Sequence, residues 1–357
     1  MGQSEDQDAT LPRFRGCLLA GAVGDALGAP IEFLSLEEIR ARFGPSGVAD
    51  MVEGGWPAGS ITDDTQMTLF TAEGLLRAWV RGALRGICHG PSVVDHAYAR
   101  WLRTQGELSP RWDPRKFDGW LIDLPPLRAR RAPGNTCITG LMAPRAGTVD
   151  QPLNDSKGCG GVMRAAPAGL VPPDDGAFHF AMEIAALTHG HPSGYLAAGV
   201  LAATIERLRD GHSLDNSLDA ATHQLRREPG HEETLAAVDA ARDLAQHGAP
   251  APERVESLGR GWVAEEALAI AVYAVAATSS LPDALLLAVN HSGDSDSTGT
   301  IAGNLAGTLY GDAAIPKEWL DQLELRAEIT QIAEDLYRCR RAEEWDAERE
   351  WDRYPGW

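Results

Sequence analysis

Two short acidic segments hold most of the chemistry this chain can offer. Ser60-Ile61-Thr62-Asp63-Asp64-Thr65 runs into one apolar helical stretch, and Gly293-Asp294-Ser295-Asp296-Ser297-Thr298-Gly299 runs into another, TIAGNLAGTLYG. Ser, Thr and Asp are the side chains that cap helix N-termini, so each segment taken alone can be read as a cap. A cap needs one side chain, however, and adjacent aspartates at a helix start repel one another. The helix dipole keeps such carboxylates ionised, the state in which they ligate metals. In the second segment Asp294, Asp296 and Ser297 can converge on one point. An EF-hand loop starting at Asp294 would need Gly at its sixth position, which Gly299 meets, and Glu at its twelfth, where Leu305 stands; an EF-hand is excluded. An aspartate-phosphorylating DxD phosphatase would need the motif at the end of a buried parallel strand, which this alanine-rich chain does not suggest.

If the two segments meet, they supply four carboxylates and several hydroxyls with no imidazole or thiolate. Such a donor set selects Mg²⁺ or Mn²⁺ over Zn²⁺. Four aspartates balance two divalent ions, and paired metals about 3.5–4 Å apart can hold a water and polarise an oxygen. The expectation is therefore spatial: the turns near 63 and 295 face each other across a pocket.

Other segments carry weaker signals, each with a plain structural alternative. Glu32, in Pro30-Ile31-Glu32-Phe33, reads as a surface glutamate or as a further carboxylate facing the metals or a water. Ser156-Lys157-Gly158-Cys159-Gly160-Gly161-Val162-Met163-Arg164 lacks the GK[ST] ending of a P-loop. It is either a tight turn or a set of exposed amides that cradles a pyrophosphate. Cys159 as a nucleophile would need a base that its neighbours do not supply. Thr188-His189-Gly190-His191-Pro192-Ser193 resembles the HxH of metal-dependent amidohydrolases without the strand they need. One of these histidines contacts a substrate phosphate or ribose, or the segment is a satisfied turn; Ser193 lacks the GxSxG context of a hydrolase nucleophile. Gly21-Ala22-Val23-Gly24-Asp25-Ala26-Leu27-Gly28 is not GxGxxG and follows no strand, so its glycines read as close packing.

The elements that must position these residues are helical. Gly16, Ala20, Gly24 and Gly28 recur every four positions in an apolar stretch from Phe14 to Leu27, a stripe that lets a second helix approach closely. Met67, Phe70, Leu75, Leu76, Trp79 and Val80 mark one helical face. Further helices are expected at 92–104, 177–187, 193–209, 233–247, 263–277, 281–289, 298–310 and 318–340. Residues 35–59 hold a loop, FGPSGVADMVEGGWPAG, punctuated by Gly and Pro. Period-2 strand patterns are scarce, so the fold class is all-α. The Pro-rich connection 110–135 carries Trp112, Phe117, Trp120, Leu121 and Ile122, which argues that it packs rather than links domains. The organisation expected is a disordered lead-in at 1–11, one domain at 12–315 and a helical acidic and aromatic extension at 316–357.

The chain has 357 residues, of which 44% are hydrophobic, enough for a substantial core. Its 51 acidic against 32 basic residues give −19, a field that disfavours nucleic acid and anionic membranes as partners. An anionic substrate would then need local cations or bound metal. Five scattered cysteines without a CxxC pair argue against disulfides and zinc and fit a reducing compartment. The polar N-terminus is unlike a signal peptide, and no stretch of 18 uncharged apolar residues exists. A cytoplasmic protein is expected.

Taken in order, GCLLAGAVGDALGAPIEF, SITDDTQMTL, RRAPGNTCI, SKGCGGVMRAAP, LTHGHPSGYLAAG, GWVAEEALAIAVY and SGDSDSTGTIAGNLAGTLYG resemble the ADP-ribosylglycohydrolases. That family includes dinitrogenase-reductase-activating glycohydrolases and ADP-ribosylarginine hydrolases, and the resemblance spans about residues 13–311. The GCGGVMR, HPSG and GDSDST spellings are most similar to the arginine-hydrolase branch. The resemblance implies a compact orthogonal all-α bundle with two Mg²⁺ or Mn²⁺ ions, held by Thr62, Asp63, Asp64, Asp294, Asp296 and Ser297. Ser297 stands where many relatives have Thr, and the hydroxyl is kept. Asp64, Asp296 and Glu32, in that order, are the carboxylates it implies for handling water or the leaving group, with Glu32 on a flap beside the metals. The loop 156–164, with Ser156, Lys157, Gly158, Cys159, Gly160, Gly161 and Met163, would hold the pyrophosphate and distal ribose, and His189 and Trp262 would line the cleft. The activity implied is removal of ADP-ribose from a modified arginine, with an ADP-ribosylated protein or ADP-ribosyl-arginine as substrate. Hydrolysis of O-linked ADP-ribose or other ADP-ribosyl compounds, and non-catalytic ADP-ribose binding, are the alternatives; the latter would expect eroded aspartates, and all four are present.

Overall fold

A computed structural model of the protein describes residues 10–171, 176–341 and 346–356. The expected lead-in therefore lies outside the described residues through position 9. Helix α1 (Leu11–Gly28) opens directly after it, with Pro12 in its first turn, where a missing N–H costs nothing. Helix α2 (Leu36–Phe43) is an element the sequence reading did not single out, and it runs up to the expected loop. Its cause is local: Ser35 and Glu38 form a reciprocal capping box, the Ser35 hydroxyl accepting from Glu38 N at 3.2 Å and Ser35 N donating to the Glu38 carboxylate at 2.8 Å.

Helix α3 (Asp63–Arg85) ends at Gly86, whose φ of +72° gives the left-handed turn that closes it. After α4 (Gly90–Thr104) the Pro-rich connection packs as short 3-10 turns that bury Leu121 and Leu127. Then come α5 (Asn135–Met142), α6 (Ala166–Leu170), α7 (Ala177–Ala186), α8 (Pro192–Arg209), α9 (Leu214–Leu225), α10 (Glu232–Ala245) and α11 (Pro252–Val255). They are followed by α12 (Ala264–Ala277), α13 (Leu281–Val289) and α14 (Ser295–Tyr310). The helix expected at 318–340 is two, α15 (Lys317–Gln322) and α16 (Arg326–Arg340), because Leu325 turns left-handed at φ +56° between them. After α17 (Ala347–Glu350), Tyr354 is buried and donates to Asp335 Oδ2 at 2.5 Å, so the described part of the tail lies on the body. The fold is all-α; among the described residues the only β-type pairing is one isolated bridge, Gly158 to Val263. Among the described residues no helix is long and apolar enough to cross a membrane.

The site depends most on how α1 meets α14, the most extensive helix pair in the molecule. A Cβ on Gly16 would lie 2.2 Å from Gly307 O, one on Gly303 2.0 Å from Ala20 O, one on Gly24 2.0 Å from Gly299 O, and one on Gly28 2.2 Å from Ser295 O. The two small-residue stripes therefore run antiparallel, backbone against backbone. Only the α1 stripe was singled out in the sequence; Gly299, Gly303 and Gly307 repeat the same four-residue spacing within α14. The consequence is positional: the end of α1, which leads to Glu32, is pressed against the start of α14, which carries Asp294 and Asp296.

Candidate active site

Helices α3 and α14 both point their N-termini into one pocket, and the two acidic segments meet there. Asp63, Asp64, Asp294, Asp296, Ser297 and Glu32 line it together. Carboxylate oxygens of Glu32, Asp294 and Asp296 come within 4.8 Å of one another, a group that can hold a metal ion. At α3 the cap is Thr62, whose hydroxyl accepts from Asp64 N at 3.4 Å, so neither aspartate is spent on capping. Asp63 Oδ2 accepts from Gly134 N at 3.2 Å, whereas the buried Asp64 Oδ2 has no hydrogen-bond partner among the described residues. At α14 the N-cap Asp294 makes no side-chain cap bond, and Asp296 Oδ1 accepts from Ser297 N at 3.0 Å. Thr62 is not among the residues that line the pocket; burial raises the pKa of Asp296, and the Thr62 hydroxyl is one of the hydrogen-bonding groups that offset part of that rise.

Burial and mutual repulsion disfavour so many negative charges in one place. Asp63, Asp64 and Asp294 are held well above the ordinary carboxylate range, first by desolvation and then by Asp296. Glu32 is pushed up to about 11 by the same two causes. A pocket of oxygen donors that cannot all ionise, with one buried carboxylate oxygen unpartnered, fits a hard divalent cation.

Sequence reasoning missed the residue beneath this cluster. Asp25, fully buried in α1, accepts from Thr62 N at 2.9 Å, Thr65 N at 3.1 Å and Thr65 Oγ1 at 2.5 Å. It anchors the turn that presents Asp63 and Asp64, and burial lifts its own pKa to about 7. The signal was its charge amid an apolar, glycine-rich stripe, which was read only as packing. Also missed was the wall Ala132-Pro133-Gly134-Asn135-Thr136-Cys137. Of the three non-glycine residues with positive φ among those described, Phe33 (+71°) and Ala132 (+48°) line this pocket. Strained backbone of this kind concentrates at functional sites.

The glycine-rich loop is only partly where it was expected. Gly158, Cys159, Gly160 and Met163 line the pocket, as do His189 and Trp262. Ser156, Lys157 and Gly161 do not: Ser156 Oγ pairs with Thr136 Oγ1 at 3.1 Å, Lys157 Nζ bridges Glu233 at 3.0 Å and Glu265 at 2.5 Å, and Gly161 packs against Gly194 O. The loop is fastened to the segment 262–264 by Cys159 N donating to Trp262 O at 3.2 Å and by Ala264 N donating to Lys157 O at 2.8 Å. The Cys159 thiol donates to Asp294 Oδ2 at 2.8 Å, and burial and the carboxylates push it well above the ordinary thiol range, which disfavours the thiolate a nucleophile needs. Phe33, 67% exposed, stacks on Trp262 with ring centroids 5.3 Å apart at 21°. Among the described residues that line the pocket there is no lysine or arginine.

Comparison with known proteins places this geometry. The profile of the ADP-ribosylglycohydrolase family matches residues 6–345. The chain is 28% identical over 325 residues to ADP-ribosyl-[dinitrogen reductase] glycohydrolase of Rhodospirillum rubrum, spanning 88% of this chain and 92% of that one. It is 26% identical over 349 residues to ADP-ribosylarginine hydrolase Tri1 of Pseudomonas putida, spanning 95% and 82%. A solved structure titled ADP-ribosylglycohydrolase-related protein complex superposes with a TM-score of 0.67 at 29% identity, covering 93% of this chain and 99% of that one.

Proposed function

The chain belongs to the ADP-ribosylglycohydrolase family, and from that premise we propose that it hydrolyses the N-glycosidic bond between ADP-ribose and an arginine side chain, reversing mono-ADP-ribosylation. One observation carries the proposal: carboxylates from three separate segments, Glu32, Asp63 with Asp64, and Asp294 with Asp296, share a pocket with the glycine-rich loop. Thr62, Asp63, Asp64, Asp294, Asp296 and Ser297 would hold two divalent ions, Mg²⁺ or Mn²⁺, because every donor offered is a hard oxygen. When bound, such ions supply fixed positive charge against which ribose hydroxyls and a water are oriented.

The chain's own residues do the rest. Asp64, Asp296 and Glu32 are the carboxylates able to take a proton from the attacking water or return one to the departing guanidinium nitrogen. Burial and the surrounding aspartates raise the proton affinity of Glu32, which suits it to the proton-carrying role. The same carboxylates stabilise positive charge at the anomeric carbon as the C–N bond stretches. Carboxylate-spacing rules for ordinary glycosidases do not transfer, because bound cations change the local charge.

The arginine linkage is favoured over an O-linked one by the character of the mouth. A cleft with an acidic floor, no basic side chain on its described walls and the Phe33–Trp262 pair at its rim suits a planar cationic leaving group. The decisive experiment incubates the protein with arginine- and serine-ADP-ribosylated proteins, with Mg²⁺ or with EDTA, and measures released ADP-ribose. Release from arginine that EDTA stops is expected. Release from serine alone would transfer the assignment to O-linked substrates, and binding without release would make the protein a non-catalytic relative.

A further inference from the structure

Arg164 is fully buried, yet among the described residues no carboxylate pairs with it. Its Nη1 reaches Met67 Sδ and Cys137 Sγ, each at 3.3 Å, and its guanidinium lies 4.3 Å from the Tyr98 ring centroid. A buried cation held by sulfur and an aromatic ring is a costly arrangement unless its field is used. Its one strong oxygen contact is Nη2 donating to Thr188 Oγ1 at 2.7 Å. Guanidinium nitrogens only donate, so Thr188 Oγ1 accepts here and has one proton to place. The candidates are His189 Nδ1 at 2.8 Å and Ala185 O at 3.5 Å. The shorter contact wins, which makes Nδ1 an acceptor.

We propose that Arg164 and Thr188 act as positioning residues that hold His189 as a neutral imidazole with its proton on Nε2, aimed into the pocket as a hydrogen-bond donor for an anionic oxygen of the ligand. Three further observations agree. Burial and the Arg164 charge push the His189 pKa down to about 3, so the ring stays neutral. Among the described residues no protein group pairs with Nε2. A Cβ on Gly158 would come 3.5 Å from Nε2, and one on Gly160 would come 3.2 Å from it, so the bare glycines of this loop leave that nitrogen its opening. With no lysine or arginine on the described walls, a neutral donor backed by a buried cation gives an anion a grip without placing a basic side chain among the aspartates.

The inference rests on ADP-ribose as the ligand class, but the tautomer is measurable without it. ¹⁵N NMR of His189 in the wild-type protein should show Nε2 protonated and Nδ1 as a bare acceptor; protonation at Nδ1 overturns the relay. Thr188→Val, which keeps the side-chain shape, should release the tautomer and weaken ADP-ribose binding by about 10- to 100-fold, the range expected for a hydrogen bond to a charged group. Thr188→Ser should restore both. Unchanged tautomer and affinity in Thr188→Val refute the relay. A wild-type protein that binds no ADP-ribose, yet shows the Nε2 tautomer, refutes instead the assignment of the ligand.

Discussion

Alanine at Gly28 is a small change with a calculable reach. The added methyl would sit 2.2 Å from Ser295 O, 2.3 Å from Ser295 C and 2.4 Å from Asp296 N, where ordinary contact begins at 3.4 Å. The obstruction is backbone in the first turn of α14, so the end of α1 and the start of α14 must separate by about 1 Å. Overpacking of this kind costs about 1–3 kcal/mol. Unfolding entropy of about 2.1 cal/mol/K per residue gives about 0.75 kcal/mol/K for 357 residues, so the melting temperature should fall by only about 1–4 °C. Activity should suffer far more, because the displaced peptide lies between Asp294 and Asp296, and a misplacement of about 1 Å can lower turnover about 100-fold. Calorimetry and initial rates of ADP-ribose release test this disproportion. Gly24→Ala meets Gly299 O at 2.0 Å one helical turn farther from Asp296, and should lose similar stability with less activity. Gly55→Ala, with nothing within 4 Å of its Cβ, should change neither. A Gly28→Ala protein as active as wild type would refute the claim that the α1–α14 contact sets the site geometry.

Asp64→Asn or Asp296→Asn should abolish turnover while leaving the circular dichroism spectrum intact; full activity in either would remove the site. Asp25→Asn places an amide donor against Thr62 N or Thr65 N, both of which donate to it now, and should cost about 1–3 kcal/mol and weaken Mg²⁺ binding measured by titration calorimetry. Divalent ions should stabilise the protein more at pH 8 than at pH 5. The folded-state pKa values of Asp25, Asp63, Asp64 and Asp294 lie above their unfolded values, so the folded chain binds extra protons below them and loses that stability as pH rises. Cations relieve the repulsion in its place. Saturation at about 100 times Kd adds about 2.7 kcal/mol, near 4 °C here, and a Mg²⁺-minus-EDTA shift that shrinks from pH 5 to pH 8 would contradict the sign. Buried His189, held down to about 3, destabilises both samples alike as pH falls below 6.5, so the difference isolates the carboxylates.

What the amino-acid sequence makes legible here, and what it hides, follows from what kind of fact each feature is. The acidic turns were legible because donors are residue identities, and the excess of two aspartates over one cap is visible in a string of letters. Their convergence was an expectation, because four aspartates balance two divalent ions only if the turns meet. What stayed hidden depends on direction and contact. Lys157 reads as a phosphate ligand by type, yet Glu233 and Glu265 hold it in ion pairs off the pocket wall, and neither partner is near it in sequence. Asp25 reads as an oddity in a packing stripe, because the three donors it receives come from residues 37 and 40 positions away.

The same distinction explains why the small residues matter as much as the charged ones. In α1 and α14 the every-fourth Gly or Ala removes side chains from both helices, so that their registers lock backbone to backbone. In the 156–164 loop the glycines clear the space around His189. Neither stripe donates a ligand, and composition alone assigns both to packing. Yet a methyl at Gly28 would collide with the backbone that carries Asp294 and Asp296, and methyls at Gly158 and Gly160 would crowd His189 Nε2. The pocket is lined by carboxylates, but the close approach of the elements that carry them depends on missing side chains. A substitution scan confined to titratable residues would therefore find the catalytic groups and overlook what keeps them within reach of one another.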